Sequence, residues 1–433
     1  MSSSEIIVGL DVGTTKIACV VGRRNEHGKV EILGHGRADS IGVRRGIVSN
    51  IEETVASIRK AVEDASTRSG VEIKYVHVGI AGQHIRSLQH RGSLIRQERE
   101  TEISRLEVEK LINDMYKLNM APGEDIIKVI PQEFIVDGEP GIKQPVGMLG
   151  SKLEANFHVI IGQTAAAKNI LKCVNRAGLE MVDMILEPIA SASAVLNEEE
   201  KEAGVALVDI GGGTTDIALF YDNVIRYTAV IPFGGNIITE DIREGCSIIK
   251  RHAEAVKVKF GSTLPSLNRE DVVISIPTAH QRPAKEISLK NLASIIEARM
   301  SEIIEQVYYE IQNSEFDRKL IAGIVLTGGG ALLKHIDQYT AFKTGLDVRI
   351  GYPHLHLAKD TPQELASPMF ATSIGLVIEG IHSYEHRRKM EQLQTEQDKA
   401  TKAQLENIDD TPTKRGMGYL DKIKKLFERD LID

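Results

Sequence analysis

Two segments roughly 200 residues apart carry the same short pattern. Residues 6–20 read Ile-Ile-Val-Gly-Leu-Asp-Val-Gly-Thr-Thr-Lys-Ile-Ala-Cys-Val, and residues 205–219 read Val-Ala-Leu-Val-Asp-Ile-Gly-Gly-Gly-Thr-Thr-Asp-Ile-Ala-Leu. Each is an apolar run, an Asp, a glycine turn with two threonines, and a second apolar run, which predicts strand, polar hairpin, strand. A repeat of this spacing implies two related domains whose hairpins face each other and grip one ligand. Glycines let a backbone approach a phosphate with no Cβ in the way, and successive N–H groups make an anion-binding concavity. The first hairpin alone is a weak signal, since a tight structural turn has the same composition. Three glycines between two strands carry a conformational cost of roughly 0.5–1 kcal/mol each relative to alanine, so the second copy, Gly211, Gly212 and Gly213 with Thr214 and Thr215, asks for a further reason. Taken with Gly13, Thr14, Thr15 and Lys16 of the first, phosphate binding is the leading reading. Asp11 and Asp209 end the two first strands where Mg²⁺ and its waters would sit, since Mg²⁺ gives up water reluctantly.

The 433 residues suffice for more than one domain and a large core. A formal net charge of −8 provides no basic field for general nucleic-acid binding. The three cysteines, Cys19, Cys173 and Cys246, are scattered and odd in number, as in a reducing compartment, with neither a disulfide framework nor a zinc site. Met1 to Glu5 run straight into a strand, so no signal peptide is expected. No apolar run nears the ~20 residues of a membrane span, and any membrane contact is expected to be peripheral. There is no Trp, which disfavours sites built on stacked bases or sugars.

Strands are predicted at 6–11, 16–22, 29–37 and 73–80, with a helix at 52–68. The second half repeats the order, with strands near 204–209, 214–221 and 224–231 and a helix from about Asn236. Three strands followed by alternating helix and strand is an α/β unit, here present twice. Between the halves, Leu186 to Leu196 reads as a small-residue helix with Pro188 in its first turn, either an interdomain crossing element or an ordinary buried helix. Residues 84–162 and 232–300 have no counterpart in the opposite half.

A third glycine cluster, Gly328, Gly329 and Gly330, follows an apolar run and is expected to open a helix against which a flat group such as adenosine could lie. A plain strand-to-helix turn is the bland alternative. Glu254 and Lys257 share a helix face and could hold ribose hydroxyls and an adenine edge, or form an i,i+3 surface pair. Residues 385–418 turn polar, too poor in apolar surface to fold alone. In the last segment Tyr419, Leu420, Ile423, Leu426, Phe427 and Leu431 fall in a stripe about 140° wide, with Lys422, Lys425 and Arg429 opposite. A helix of this kind on a polar tether predicts an interfacial anchor for anionic membrane, or a helix that docks on protein. Asp430 falls inside the stripe and weakens its last turn.

Together these residues resemble the actin-like ATPase superfamily and, within it, the FtsA family of bacterial cell-division proteins. The resemblance runs over almost the whole chain. It includes Gly46 to Asn50, Val129-Ile-Pro-Gln-Glu-Phe134, Gly141 to Met148, Ala167 to Ile170, Pro232-Phe-Gly-Gly-Asn236, Ala253 to Lys257 and Ala322 to Gly328. It implies an actin-like fold of duplicated RNase H-like βββαβα halves, an FtsA-type inserted subdomain 1C, and a C-terminal amphipathic helix.

On that basis subdomain 1A is expected at 1–83 and 163–197, the second stretch including the interdomain helix, and 1C at 84–162. Subdomain 2A is expected at 198–231 and 301–360, 2B at 232–300, and a return to 1A at 361–386. A flexible polar linker at 387–415 and a membrane-targeting helix at 416–433 complete the chain. The resemblance further implies ATP and Mg²⁺ between the halves, with Gly235 among the nucleotide contacts, and weak ATPase activity at most. It implies a homopolymer at the division site on the cytoplasmic face of the membrane, later division proteins as partners, and tethering of FtsZ by its C-terminal tail at Arg282, Arg299 and Glu302. The rival readings are an actin-like ATPase of pilus assembly and a small-molecule kinase of the same superfamily. No catalytic base stands out in the sequence.

Overall fold

The computed structural model describes residues 5–96, 100–268, 271–276 and 284–389. The chain divides into a compact unit, Met1–Ile381, and a second unit, His382–Asp433, of which residues 382–389 are described and are helical. The sheets and the cleft belong to the first unit.

The first hairpin joins Ile7–Val12 to Lys16–Arg24, with Asp11 opposite Ala18. Val30–Asp39 extends this sheet on one side, and Tyr75–Ile80 followed by Glu180–Leu186 pair in parallel on the other. The second hairpin joins Val205–Ile210 to Thr215–Tyr221, with Asp209 opposite Asp216. Val224–Ile231 lies outside it, and Ile324–Thr327 followed by Val348–Ile350 pair in parallel on the inner side. The two five-stranded sheets share one topology, so the sequence repeat is a repeat of a whole α/β unit. Every residue of Ile7–Val12 is buried, which accounts for its unbroken apolar reading.

Local chemistry sets the boundaries. Asn50 caps the helix Ile51–Ser69 by accepting from the Glu53 N–H, and Gly70 ends it at φ 69°. Asp222 and Asn223 both take positive φ, 59° and 62°, as a tight turn between right-twisted strands requires. The expected helix at Gly328–Gly330 differs. Gly329–Leu332 make a single 3₁₀ turn, and the α-helix Ile336–Thr344 starts only after His335. Gly328 at φ 81° and His335 at φ 64° are left-handed and bracket the turn, so a right-handed helix cannot run through it.

Between Tyr75–Ile80 and the helix Thr164–Arg176 lies a separate four-stranded sheet, in the order Ile85–Ile95, Lys152–Gln163, Glu124–Val136, Glu139–Ile142, with the helix Arg105–Met115 on it. It has its own core around Phe157, Leu111 and Leu153. Buried Arg96 pins the loops beside that helix, donating to Glu107, Thr101 and the Gly150 carbonyl. This sheet also meets the second half. Gln132 Nε2 donates to the Ile225 carbonyl at 2.8 Å, Gln89 Nε2 to the Arg226 carbonyl at 3.0 Å, and His158 Nε2 lies 3.2 Å from Thr228 Oγ1. These amides occupy carbonyls along Val224–Ile231, which is the outer strand of its sheet.

The helix Glu187–Val195 packs against strands of both large sheets. It crosses the helix that begins at residue 371 so closely that a Cβ on Gly375 would sit 1.8 Å from the Ala190 carbonyl oxygen. The small-residue helix thus touches both large sheets and crosses a second helix where there is no room for a side chain at Gly375. Gly375→Ala should lower stability by about 3 kcal/mol, because both backbones must move to admit one methyl group. Urea unfolding checks this, and an unchanged midpoint would show that the helices do not touch here.

Candidate functional site

The hairpin tips meet face to face. A Cβ on Gly212 would lie 2.3 Å from Thr15 Cγ2, and one on Gly213 would lie 2.6 Å from Thr14 Oγ1. The glycine-rich tip therefore has a second cause besides ligand access, since the opposing threonines leave no room for side chains. Thr14 Oγ1 also accepts from the Gly46 N–H at 3.1 Å.

Between the halves lies a cleft of about 410 Å³. The first hairpin contributes Asp11, Gly13, Thr14, Thr15 and Lys16, and the second contributes Asp209, Gly211, Gly212, Gly213, Thr214 and Asp216. Gly235, Glu254 and Lys257 line the second half's side together with Gly328, Gly329 and Gly330. The sequence candidates converge on this one space, with one exception. Thr215 is fully buried and does not line the cleft; its hydroxyl donates to the Phe233 carbonyl at 3.0 Å, because alternate residues of a strand point to opposite faces.

Glu254 and Lys257 do pair, at 2.8 Å, but Lys257 is no surface residue. Its Nζ also donates to the Gly235 carbonyl and to Thr239 Oγ1, each at 2.8 Å, and burial lowers its pKa. Lys257 thus braces the Gly234–Gly235 backbone against the helix Lys250–Phe260. Gly329 is exposed, and a Cβ there would meet nothing within 4 Å.

The cleft floor is acidic. Asp11 pairs with Lys16 at 2.8 Å. Asp209 Oδ2 accepts from Ser191 at 2.7 Å and from Thr372 at 3.3 Å. Asp216 Oδ2 accepts from Thr214 at 3.1 Å, while its buried Oδ1 has no hydrogen-bond partner among the described residues. Glu187 enters from the start of the crossing helix, and Gly79 makes space for it, since a Cβ there would lie 2.9 Å from Glu187 Cγ. Burial, then repulsion from Asp11, Asp216 and Asp209, pushes the Glu187 carboxyl well above the carboxylate range. Burial first and Asp209 second push Asp216 up to about 8. Burial also raises Asp209, against the Ser191 hydrogen bond.

Such a cluster fits a divalent cation that neutralises it. Among the described residues no three His, Cys, Asp or Glu side chains form a metal cage. The donor set therefore fits Mg²⁺ held largely by water and phosphate oxygens, with Asp11, Asp209 and the unsatisfied Asp216 oxygen nearby.

Glu187, Asp216, Arg37, Asn236, Met369 and Thr372 line the cleft without having been singled out in the sequence. Asp216 was legible, because a hairpin that ends its first strand at Asp209 and carries a carboxylate seven residues on sets two like charges opposite each other. Glu187 and Thr372 reach the cleft through the helix crossing and carry no local signal. Arg299 and Glu302 lie on the helix Leu289–Asn313 and pair with each other, while Arg299 also grips Asp241 with contacts of 2.6 and 3.1 Å. Arg282, the linker from residue 390 and the membrane candidates Tyr419, Leu420, Lys422, Ile423, Lys425, Leu426 and Phe427 lie outside the described residues.

The raised acids imply a pH dependence with a definite sign. Asp216 has a folded-state pKa near 8 against the model-peptide value of 3.8, so the folded chain binds the proton more tightly than the unfolded one. Its contribution to stability is therefore lost as pH rises from about 4 to about 8. Asp216→Asn should flatten this slope and raise the melting temperature of nucleotide-free protein near pH 8. Thermal melts across the range check it, and equal slopes for both proteins would refute the burial of this charge.

The family model described as "Cell division protein FtsA" matches residues 206–375, and "SHS2 domain inserted in FTSA" matches residues 82–161. The chain is 37% identical over 381 residues to the cell division protein FtsA of Pseudomonas aeruginosa, covering 88% of this chain and 90% of that one. Among solved structures, the PilM–PilN type IV pilus biogenesis complex superposes with a TM-score of 0.63 at 16% identity, covering 87% of this chain and 98% of that one. MreB5 of Spiroplasma citri bound to AMPPNP superposes at 0.52 with 18% identity, covering 90% and 99%. At these identities the two structural likenesses speak for an actin-like fold alone.

Proposed function

The chain belongs to the FtsA family of cell-division proteins, and from that premise we propose that it binds ATP with Mg²⁺ between its halves, self-assembles, and tethers FtsZ filaments to the cytoplasmic face of the membrane at the division site. The observation that carries the nucleotide part is the convergence of both Asp-Gly-Thr hairpins and the Gly328–Gly330 turn on one cleft. In this reading the amides of Gly13 and Gly211–Gly213, with Thr14, Thr15 and Thr214, hold the phosphates, and Lys16 offsets their charge. The open face at Gly329 takes adenosine, and Glu254 and Lys257 flank the ribose. Mg²⁺, when bound, neutralises β- and γ-phosphate charge. Asp11 and Asp209 orient its waters, and Glu187 is the carboxylate available to hold an attacking water.

ATP then acts chiefly as an assembly switch, with hydrolysis weak at most. Arg299 and Glu302 are proposed to receive the FtsZ tail, and the segment 416–433 to anchor the polymer peripherally. Among the described residues no helix is long and apolar enough to cross a membrane. The nucleotide in the MreB5 structure supports the cleft reading by analogy of fold. The FtsA reading is favoured over the pilus and kinase alternatives by relatives such as the FtsA of Pseudomonas aeruginosa, 37% identical over 88% of this chain.

Gly329→Leu is expected to weaken ATP binding at least tenfold in calorimetry, with stability changed by no more than about 1 kcal/mol, since the site has room and needs no special backbone conformation. It is a cleaner probe than Gly212, whose Cβ would also push the hairpins apart. Unchanged affinity would remove adenosine from this face. The whole function is tested by recruiting labelled FtsZ to anionic liposomes with this protein and ATP. Recruitment should be lost when residues 419–433 are removed, and no recruitment by the intact chain would overturn the tethering role.

A further inference from the structure

A second cavity, of about 350 Å³, lies beside the cleft and shares Arg37 and Met369 with it. Phe370 is part of its wall, and the Lys16 ammonium lies 5.4 Å from that ring's centre. Arg37, Arg68 and His35 face the cavity, against two acids, Asp64 and Glu364. The exposed Arg37 side chain makes no hydrogen bond or ion pair with any other described residue, although it borders both spaces.

The other side chains meet at buried His35, which cannot serve both of its neighbours at once, and those neighbours, Arg68 and Glu364, are themselves exposed at the cavity rim. His35 is buried, and its Nε2 lies 2.7 Å from Arg68 Nη1 and also 2.7 Å from Glu364 Oε1. A ring nitrogen is a donor or an acceptor, never both. If Nε2 carries a proton it serves Glu364 and confronts an Arg68 N–H. If it is bare it serves Arg68 and confronts a carboxylate oxygen. An oxyanion in the cavity resolves the conflict: it takes the Arg68 guanidinium, releases His35 to donate to Glu364, and gives the unpaired Arg37 a partner.

We infer that this cavity is a binding site for inorganic phosphate, opening on the nucleotide cleft at Arg37. Arg37 and Arg68 present planar forks that suit two edges of a tetrahedral oxyanion. No residue of either hairpin tip lines the cavity, and Phe370 of its wall lies under Lys16 of the first hairpin, so the site is not part of the hairpin grip. A phosphate held here can come from solution or from a nucleotide cleaved next door, and the second source rests on the cleft reading above.

The test uses full-length protein saturated with ADP, which fills the cleft, and radiolabelled inorganic phosphate. Retained label should fall at least tenfold in Arg68→Gln, a substitution at an exposed side chain that lines only the second cavity, while ADP affinity stays within twofold. Glu364→Gln, which removes one side of the conflict, should leave phosphate bound. A parallel arm supplies γ-labelled ATP instead. Label retained there and lost with Arg68→Gln identifies cleavage in the cleft as the source, and label retained only from added phosphate identifies solution. No retention in either arm, or label lost with Lys16→Ala but not with Arg68→Gln, overturns the site. Failure of the cleft reading shows separately as an absence of ADP binding, and phosphate titrated into nucleotide-free protein then still reads the cavity.

Discussion

The two halves meet where side chains are missing, and the site depends on that. At the hairpin tips, Gly212 and Gly213 receive Thr15 and Thr14. At the base, Gly375 admits the Ala190 carbonyl. A Cβ at the tips would drive into the threonine side chains, and one at Gly375 would drive into the Ala190 backbone, which close packing cannot absorb. Close approach at both ends leaves the cleft between as a defined space rather than an open gap, and it delivers Glu187, Ser191 and Thr372 from the two crossing helices to the acids of the hairpins.

That closeness has an electrostatic consequence. Asp11, Glu187, Asp209 and Asp216 are drawn into one space, and the positive charge around it does not balance them: Lys16 is paired with Asp11, Lys257 with Glu254, and Arg37 stands exposed at the border. In the bare cleft, burial and mutual repulsion favour the protonated forms of Glu187, Asp209 and Asp216, and a cation would offset the same charge. A site that is uncomfortable alone and relieved by a ligand would couple binding to the close approach of the hairpins, which is what the proposed assembly switch requires. The inserted sheet adds a second tie between the halves through Gln89, Gln132 and His158 on the strand Val224–Ile231.

Local pattern made much of this legible. Alternating and continuous apolar runs marked the strands of both sheets, Asn50 and Gly70 marked a helix, and the paired hairpins marked two turns that line one cleft. The turn after Thr327 differs from the expected helix because left-handed backbone at Gly328 and His335 leaves no composition signal different from an ordinary helix start. Thr215 was grouped with Thr214 because the hairpin boundary decides which face each residue takes, and a boundary shifts by a residue without any change in pattern.

The sequence by itself determined the duplicated α/β unit, the acidic and glycine-rich character of both hairpins, and the residues with which they face a ligand. These follow from periodicity and backbone freedom, which act over a few residues. Tertiary structure alone decided that Glu187 and Thr372 join the cleft, that Lys257 is a buried brace, and that His35, Arg68 and Glu364 confront one another behind Arg37. Those contacts join residues dozens to hundreds of positions apart, and only the crossing of helices and the stacking of sheets brings such residues within hydrogen-bond range.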